Sequence, residues 1–163
     1  MDAFQDLIQG NHCFGCGPTN SDGLQIKSYW EQSDPSTERA ICDFTPKPFH
    51  NAGMTHFLNG GIIASVMDCH AICTAMADGY LREGRPVGTG DTIWYVTGKL
   101  NVNYLKPVPI DQVSRFIMTI ERREGKKTWL SGALNINNGT LATAEILAIR
   151  VPESWLLQGI DDG

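Results

Sequence analysis

A long buried helix is predicted by the sequence Asn59-Gly60-Gly61-Ile62-Ile63-Ala64-Ser65-Val66-Met67-Asp68. Asn59 is a favoured N-cap residue, and the glycines after it leave backbone amides accessible at the helix start. Asp78-Gly79 is the expected stop, which gives a helix of about 20 residues and roughly 30 Å. Because the segment is apolar almost all round, we expect other structure to cover the helix on several sides.

Strand-like segments lie on both sides of this helix in the sequence. Two precede it, at residues 24–31 and 39–44, and four follow it, at residues 93–104, 113–123, 128–137 and 140–151. Asn138-Gly139 predicts a type I′ hairpin, and Glu124-Gly125-Lys126 predicts a second turn. The pattern indicates an α+β fold in which one long helix packs against a curved antiparallel sheet.

The chain of 163 residues is expected to form one domain, residues 1–163. Residues 1–23 comprise a short amphipathic helix at residues 2–9 and the turn-rich loop His12-Cys13-Phe14-Gly15-Cys16-Gly17-Pro18. A single sheet covers only one side of the long helix. The N-terminal segment or a second subunit must therefore cover the rest.

Composition narrows the class of protein. Hydrophobic residues make up 42% of the chain, and the formal net charge is −5 with no basic tail. This charge argues against a dedicated binder of nucleic acid or of a membrane surface. Residues 1–10 lack the pattern of a signal peptide, and the apolar stretch 61–77 contains Asp68 and His70, so we expect no membrane span. A cytoplasmic location with mostly reduced cysteines is expected.

Asp68 is the first candidate for chemistry, because an apolar helix rarely carries an unpaired charge. The alternative, a solvated or salt-bridged helical Asp, is disfavoured by its apolar neighbours. Gly60-Gly61 either offers amides to an anion or only permits close packing, and the sequence favours neither. An activated carboxylate and an oxyanion site together suffice to hydrolyse an acyl ester or thioester.

Helical geometry separates these two groups. Asn59 and Asp68 are nine residues apart, which is about 13 Å along the axis and about 180° around it. They cannot both touch one scissile carbonyl within one subunit. If both serve one site, that site must combine the helix start of one subunit with Asp68 of another.

Other residues give weaker signals. Cys13-x-x-Cys16 could be half of a zinc site or a redox pair, but no second CxxC or HxxxH pair exists, so a structural loop is the favoured interpretation. Cys69 and Cys73 lie one helical turn apart and are interpreted as core residues. The histidines show no recognisable partner spacing.

Three stretches, residues 12–24, 59–68 and 100–108, resemble hotdog-fold thioesterases, specifically the phenylacetate-degradation-type and 4-hydroxybenzoyl-CoA-thioesterase-like group. The resemblance implies a hotdog fold and active sites shared between subunits of a dimer or dimer of dimers. Asp68 matches the catalytic carboxylate, and the amide of Gly60 or Gly61 matches the group that polarises the thioester carbonyl. Thr97 matches a hydroxyl that some members use. Asn59 stands where the family usually has His, and an amide cannot become cationic.

The resulting prediction is an acyl-CoA thioesterase that needs no metal and no cofactor. Substrate contacts are expected from residues near the helix start and the expected mouth of the site: His56, Phe57, Arg82, Arg85 and Lys106. Aromatic residues Trp94, Tyr95 and Phe57 could line an acyl pocket. A non-catalytic acyl-CoA-binding protein, an enoyl-CoA hydratase or dehydratase of the same fold, and a structural or adaptor protein are the alternatives.

Overall fold

The computed structural model describes residues 2–157. One long helix lies against a six-stranded antiparallel sheet, so the predicted α+β architecture is confirmed. In chain order the elements are α1 (Phe4–Leu7), β1 (Tyr29–Trp30), β2 (Arg39–Phe44), α2 (Gly60–Arg82), β3 (Trp94–Tyr104), β4 (Ser114–Glu124), β5 (Lys127–Ile136), β6 (Gly139–Val151) and α3 (Glu153–Leu157). Short 3₁₀ turns occur at Glu31–Ser33, Pro35–Thr37 and Pro48–His50.

Helix α2 begins as predicted, since the Asn59 side chain caps its first turn. The predicted stop at Asp78-Gly79 is wrong, because the helix continues through both residues to Arg82. Asp78 is buried, and the Arg123 guanidinium binds its carboxylate with two hydrogen bonds of 2.9 Å each. Gly79 allows close packing, because a Cβ there would lie 3.1 Å from the Ile93 side chain. Tertiary packing thus explains a sequence that resembles a helix end.

The six strands follow the order β1-β2-β4-β5-β6-β3, which leaves β3 at one edge of the sheet. The predicted hairpin between β5 and β6 is displaced by one residue. Asn137 and Asn138 are the two turn residues, with positive φ of 48° and 65°, and Ile136 pairs with Gly139. Both turn residues have the left-handed conformation that a type I′ turn needs.

The predicted strand at residues 24–31 is mostly wrong, since only Tyr29–Trp30 pairs with the sheet. Leu24 N donates to Phe14 O (2.7 Å), and Ile26 N donates to Gly15 O (3.1 Å). Between them, Gln25 has a positive φ of 50°, which is incompatible with a regular strand. This segment supports the N-terminal loop.

The N-terminal segment covers the side of α2 that the sheet leaves open, which is one of the two predicted solutions. Phe4, Ile8 and Cys16 are buried in the same hydrophobic core as the helix. The helical part of this segment, Phe4–Leu7, is shorter than the predicted residues 2–9.

Helix α2 is long and apolar enough to span a membrane by length and composition, with a mean hydropathy of 1.4 over its best window. The helix is longer than the apolar stretch 61–77 that the sequence analysis considered. However, 61% of that window is buried inside the protein. Such burial is typical of a helix in the core of a folded domain.

Candidate active site

Asp68 and Thr97 form the centre of the candidate site. Asp68 lies on α2 and Thr97 on β3, and the Thr97 hydroxyl donates to Asp68 Oδ1 at 2.5 Å. Burial raises the pKa of Asp68, the Thr97 hydrogen bond opposes this rise, and the nearby Cys16 adds to it. A carboxylate whose pKa is raised by burial is a better proton acceptor than one in water. The structure thus brings together two of the predicted site residues.

A cavity of about 270 Å³ opens beside this carboxylate. Its walls include the apolar and aromatic side chains of Ile72, Met76, Trp94 and Tyr95. Two of these, Trp94 and Tyr95, were predicted to line an acyl pocket. A largely apolar cavity with a few polar groups suits a substrate that combines a hydrophobic body with a reactive carbonyl.

The start of α2 is a second polar region. Asn59 Oδ1 accepts from Gly61 N at 2.7 Å and from Ile62 N at 3.2 Å. The Gly61 amide is therefore engaged by the cap, whereas Gly60 N finds no acceptor among residues 2–157. Tyr104 on β3 donates its hydroxyl to Gly60 O at 2.6 Å and so fixes the first residue of the helix. Of the two amides predicted to meet an oxyanion, Gly60 is the one that remains available.

A separate groove of about 410 Å³ borders this helix start. Phe57, Gly60, Tyr104 and Lys106 are among its lining residues, and it shares none with the Asp68 cavity. Within one chain, the carboxylate and the Gly60 amide therefore face different cavities. This agrees with the separation derived from the helical spacing.

The remaining predicted substrate contacts fall into two groups. His56 is exposed beside Phe57, with 4.1 Å between their ring centroids, close to the helix start. Arg82 and Arg85 lie at the opposite end of α2, about 30 Å away by the helical rise. The Arg85 guanidinium stacks over the Tyr80 ring at 4.5 Å and bonds to Asp91 O at 2.9 Å, so it stabilises the loop after the helix. One chain therefore does not assemble all these cations around a single groove.

Four cysteines also line the Asp68 cavity: Cys13, Cys16, Cys69 and Cys73. The sequence pattern predicts that Cys13 and Cys16 are part of a structural loop, and that Cys69 and Cys73 are core residues. This interpretation is incomplete, because the loop lies directly on α2 and all four thiols line one cavity. The pKa of Cys16 is lowered by hydrogen bonds from Cys13, then Cys69 and Cys73, whereas burial opposes this effect. The cysteine spacing did not predict this cluster, because the two pairs have different spacings, Cys-x₂-Cys and Cys-x₃-Cys, and do not match a known metal-site pattern.

Comparison with solved structures identifies the fold. A thioesterase superfamily protein from Shewanella loihica matches with a TM-score of 0.61 and 29% identity, covering 88% of this chain and 96% of that one. A phenylacetic acid degradation-related protein from Ralstonia eutropha matches with a TM-score of 0.67 and 17% identity, covering 91% and 99%. The chain has the hotdog fold. The predicted resemblance of this hotdog chain to the thioesterase superfamily is confirmed.

A relative of known activity gives a partial match. The acyl-coenzyme A thioesterase THEM4 of Rattus norvegicus is 29% identical over 109 residues, which are 67% of this hotdog chain. The chain spans 40% of the length of that protein. No protein-family model matches the chain.

Proposed function

We propose that this hotdog protein is an acyl-CoA thioesterase with Asp68 as its catalytic carboxylate. The observation that carries the proposal is the Asp68–Thr97 pair, which sits in an otherwise largely apolar cavity on the long helix. The similarity to thioesterase superfamily proteins and to an acyl-CoA thioesterase supports the same chemistry. Asp68 is half-buried and forms no salt bridge with any of the residues 2–157, and such a carboxylate is expected where a proton or an acyl group must be transferred.

The geometry supports a simple hydrolytic sequence. Thr97 holds Asp68 Oδ1, which leaves Oδ2 to accept a proton from water or to attack the thioester carbonyl itself. Addition to the carbonyl carbon gives a tetrahedral oxyanion, to which the Gly60 amide donates a hydrogen bond. Collapse breaks the C–S bond, and the CoA sulfur leaves as a thiolate that takes up a proton. If Asp68 is the base, the attacking water supplies the new oxygen of the acid directly. If Asp68 is the nucleophile, collapse leaves a mixed anhydride on Asp68, which water then hydrolyses to the carboxylic acid and the free carboxylate.

The proposed site combines two subunits. Asp68 and Gly60 line different cavities of one chain, so one thioester carbonyl cannot contact both. Strand β3 carries Thr97 and Tyr104 and forms a free edge of the sheet within the described residues. A two-fold axis next to this edge would place the helix start of one subunit near Asp68 of the other. A homodimer, or a tetramer built from two dimers, is therefore proposed, and the cytoplasmic location stays a prediction.

Hydrolysis of a panel of acyl-CoAs by wild type and by Asp68→Asn tests the proposal. Panel members carry aryl, short and long acyl chains, and release of the CoA thiol is measured. Because the amide cannot act as base or nucleophile, we expect a loss in kcat of at least about 100-fold on the best substrate. Asp34→Asn is the matched control: Asp34 lies in the turn before β2, at the opposite edge of the sheet, and an amide oxygen can still accept from Ser36 N.

Three results would overturn the assignment. Near-normal turnover by Asp68→Asn would remove Asp68 from the mechanism. Binding of acyl-CoA by wild type without turnover of any panel member would favour the non-catalytic acyl-CoA-binding protein. The motive for this alternative is Asn59, which stands where the hotdog thioesterases that the sequence resembles usually have His. Addition of water to an enoyl-CoA without thioester cleavage would favour a hydratase.

A further inference from the structure

The thiols of Cys13, Cys16 and Cys69 lie close enough to share one metal ion. Their Sγ atoms are all within 4.8 Å of one another, and Cys13 Sγ lies 3.6 Å from Cys69 Sγ. A tetrahedral zinc ion with bonds of about 2.3 Å separates its sulfur ligands by about 3.8 Å. Cys73 follows Cys69 by one helical turn and lines the same cavity as the other three thiols. Three thiols are thus arranged around one point, with Cys73 on the wall of the same cavity.

The N-terminal loop is shaped to present its two thiols. Gly17 N donates to Cys13 O at 2.8 Å, which closes the turn that contains both cysteines. Asn11 Oδ1 accepts from Cys13 N at 3.0 Å, and Asn11 Nδ2 lies 3.4 Å from Cys16 Sγ as a donor. Asn11 is buried, so its bonds to the loop are sheltered from water. Such N–H donors to sulfur are typical of the groups that orient metal ligands.

Close packing of the loop on α2 completes the arrangement. A Cβ at Gly15 would lie 2.2 Å from Cys69 Sγ, so only glycine lets the loop approach the helical thiol this closely. Cys13 is exposed while Cys16 and Cys69 are buried, which gives an ion a route from solvent to the cluster. The remaining cysteine, Cys42, lies on β2 and is not among these clustered thiols.

We propose that Cys13, Cys16 and Cys69, with Cys73 as the fourth ligand, bind one Zn²⁺ ion. Zn²⁺ suits the site because thiolates are its preferred soft ligands and four of them give a closed tetrahedral shell. Each coordinated thiol releases its proton to solvent, and no oxidant or reductant is needed. The ion joins the N-terminal loop to α2 at the residue next to Asp68. It therefore fixes one wall of the Asp68 cavity, whatever reaction that cavity performs.

Metal titration of the full chain tests the inference independently of activity. Protein that is reduced and freed of metal is titrated with Co²⁺, whose tetrahedral thiolate complexes have characteristic charge-transfer and visible absorption bands. Zn²⁺ is then added to displace the probe. We expect one Co²⁺ per chain, with tetrahedral thiolate spectra and full displacement by Zn²⁺. Thermal unfolding with and without Zn²⁺ gives a second readout, because an ion that binds only the folded chain raises the Tm.

Single substitutions assign the ligands. Cys13→Ser and Cys69→Ser should each weaken binding at least about 10-fold, and Cys42→Ala should leave affinity and spectrum unchanged. Cys13 is exposed, so its substitution tests the site even if Cys69→Ser fails to fold. The proposal is overturned if wild type binds no stoichiometric metal or if Cys13→Ser binds it with unchanged affinity. Loss of two titratable thiols to a Cys13–Cys69 disulfide that Zn²⁺ does not prevent would also overturn it, in favour of a redox pair.

Discussion

Two inactive variants should restore activity when they form mixed dimers. Asp68→Asn removes the proposed base, and Gly60→Val blocks the amide that would meet the oxyanion. A Cβ at Gly60 would already lie 3.4 Å from the Tyr104 ring, so the two methyl groups of valine crowd the groove that this residue lines. The Gly60 amide and the Asp68 carboxylate are eight residues apart, which is about 12 Å along α2, and they border different cavities of one chain.

The expected yield follows from the two-fold arrangement. With equal mixing and random exchange, half of the dimers are mixed, and each mixed dimer holds one intact site and one with both defects. About a quarter of all sites should therefore be active. The assay is turnover of the best acyl-CoA after co-refolding, once both variants are known to fold and to exchange subunits.

A reciprocal mixture is the matched control. The double variant Asp68→Asn Gly60→Val, mixed equally with wild type, should leave about a quarter of sites active, because every mixed dimer then has one defect in each site. If each site lay within a single chain, the first mixture would show no recovery and the reciprocal mixture would keep half of its sites. That pair of results would refute the shared site.

Three further predictions concern the helix. Asn59→Ser should keep most activity because serine also caps, whereas a complete loss would assign the Asn59 amide a direct role with substrate. In zinc-free protein, burial lowers the pKa of His70 from 6.5 to about 4. Between these two pH values, the unfolded chain therefore binds more protons than the folded chain. The free energy of unfolding should therefore fall by up to about 3 kcal/mol from pH 6.5 to pH 4. Urea unfolding tests this, and equal pH dependence in His70→Gln would contradict it. Asp78→Ala should cost about 1.5–3 kcal/mol by the same assay, because Arg123 loses two charge-assisted hydrogen bonds but is partly exposed and keeps its ion pair with Glu38. A cost below about 0.5 kcal/mol would show the Asp78–Arg123 pair to be dispensable.

The acid sensitivity of His70 has a specific structural origin. Its Nε2 faces Ala40 O at 3.2 Å, and because a carbonyl can only accept, Nε2 carries the proton. Nδ1 then accepts from the Ser28 hydroxyl at 2.8 Å, and Ser28 Oγ in turn accepts from the Gln5 amide at 2.8 Å. A second proton on the imidazole would face a hydroxyl hydrogen in a fully buried site. This network keeps His70 neutral and ties α1, the segment before β1, and α2 together.

Local signals predicted most of the fold. The start of α2 followed from its N-cap and apolar pattern, and the four C-terminal strands followed from alternating side chains between turns. The predictions were wrong where two neighbouring sequence pairs predicted the same turn equally well, or where contacts with residues distant in the sequence outweighed the local pattern. Asn137-Asn138 and Asn138-Gly139 both allow positive φ, and only cross-strand pairing of Ile136 with Gly139 selects the first. Asp78-Gly79 resembles a helix end until Arg123 and Ile93, which are distant in the sequence, pack against it.

The two parts of the candidate site differ in how far the sequence could reveal them. Asp68 stands out in the sequence, because its charge lies among apolar residues in the middle of the helix. The thiol cluster has no such local sign, since Cys13 and Cys69 are 56 residues apart and neither pair is unusual by itself. Gly15 connects them, because its missing side chain is what brings the loop within contact of Cys69. A glycine between two cysteines therefore marks the close approach, and only the folded chain shows which surface it approaches.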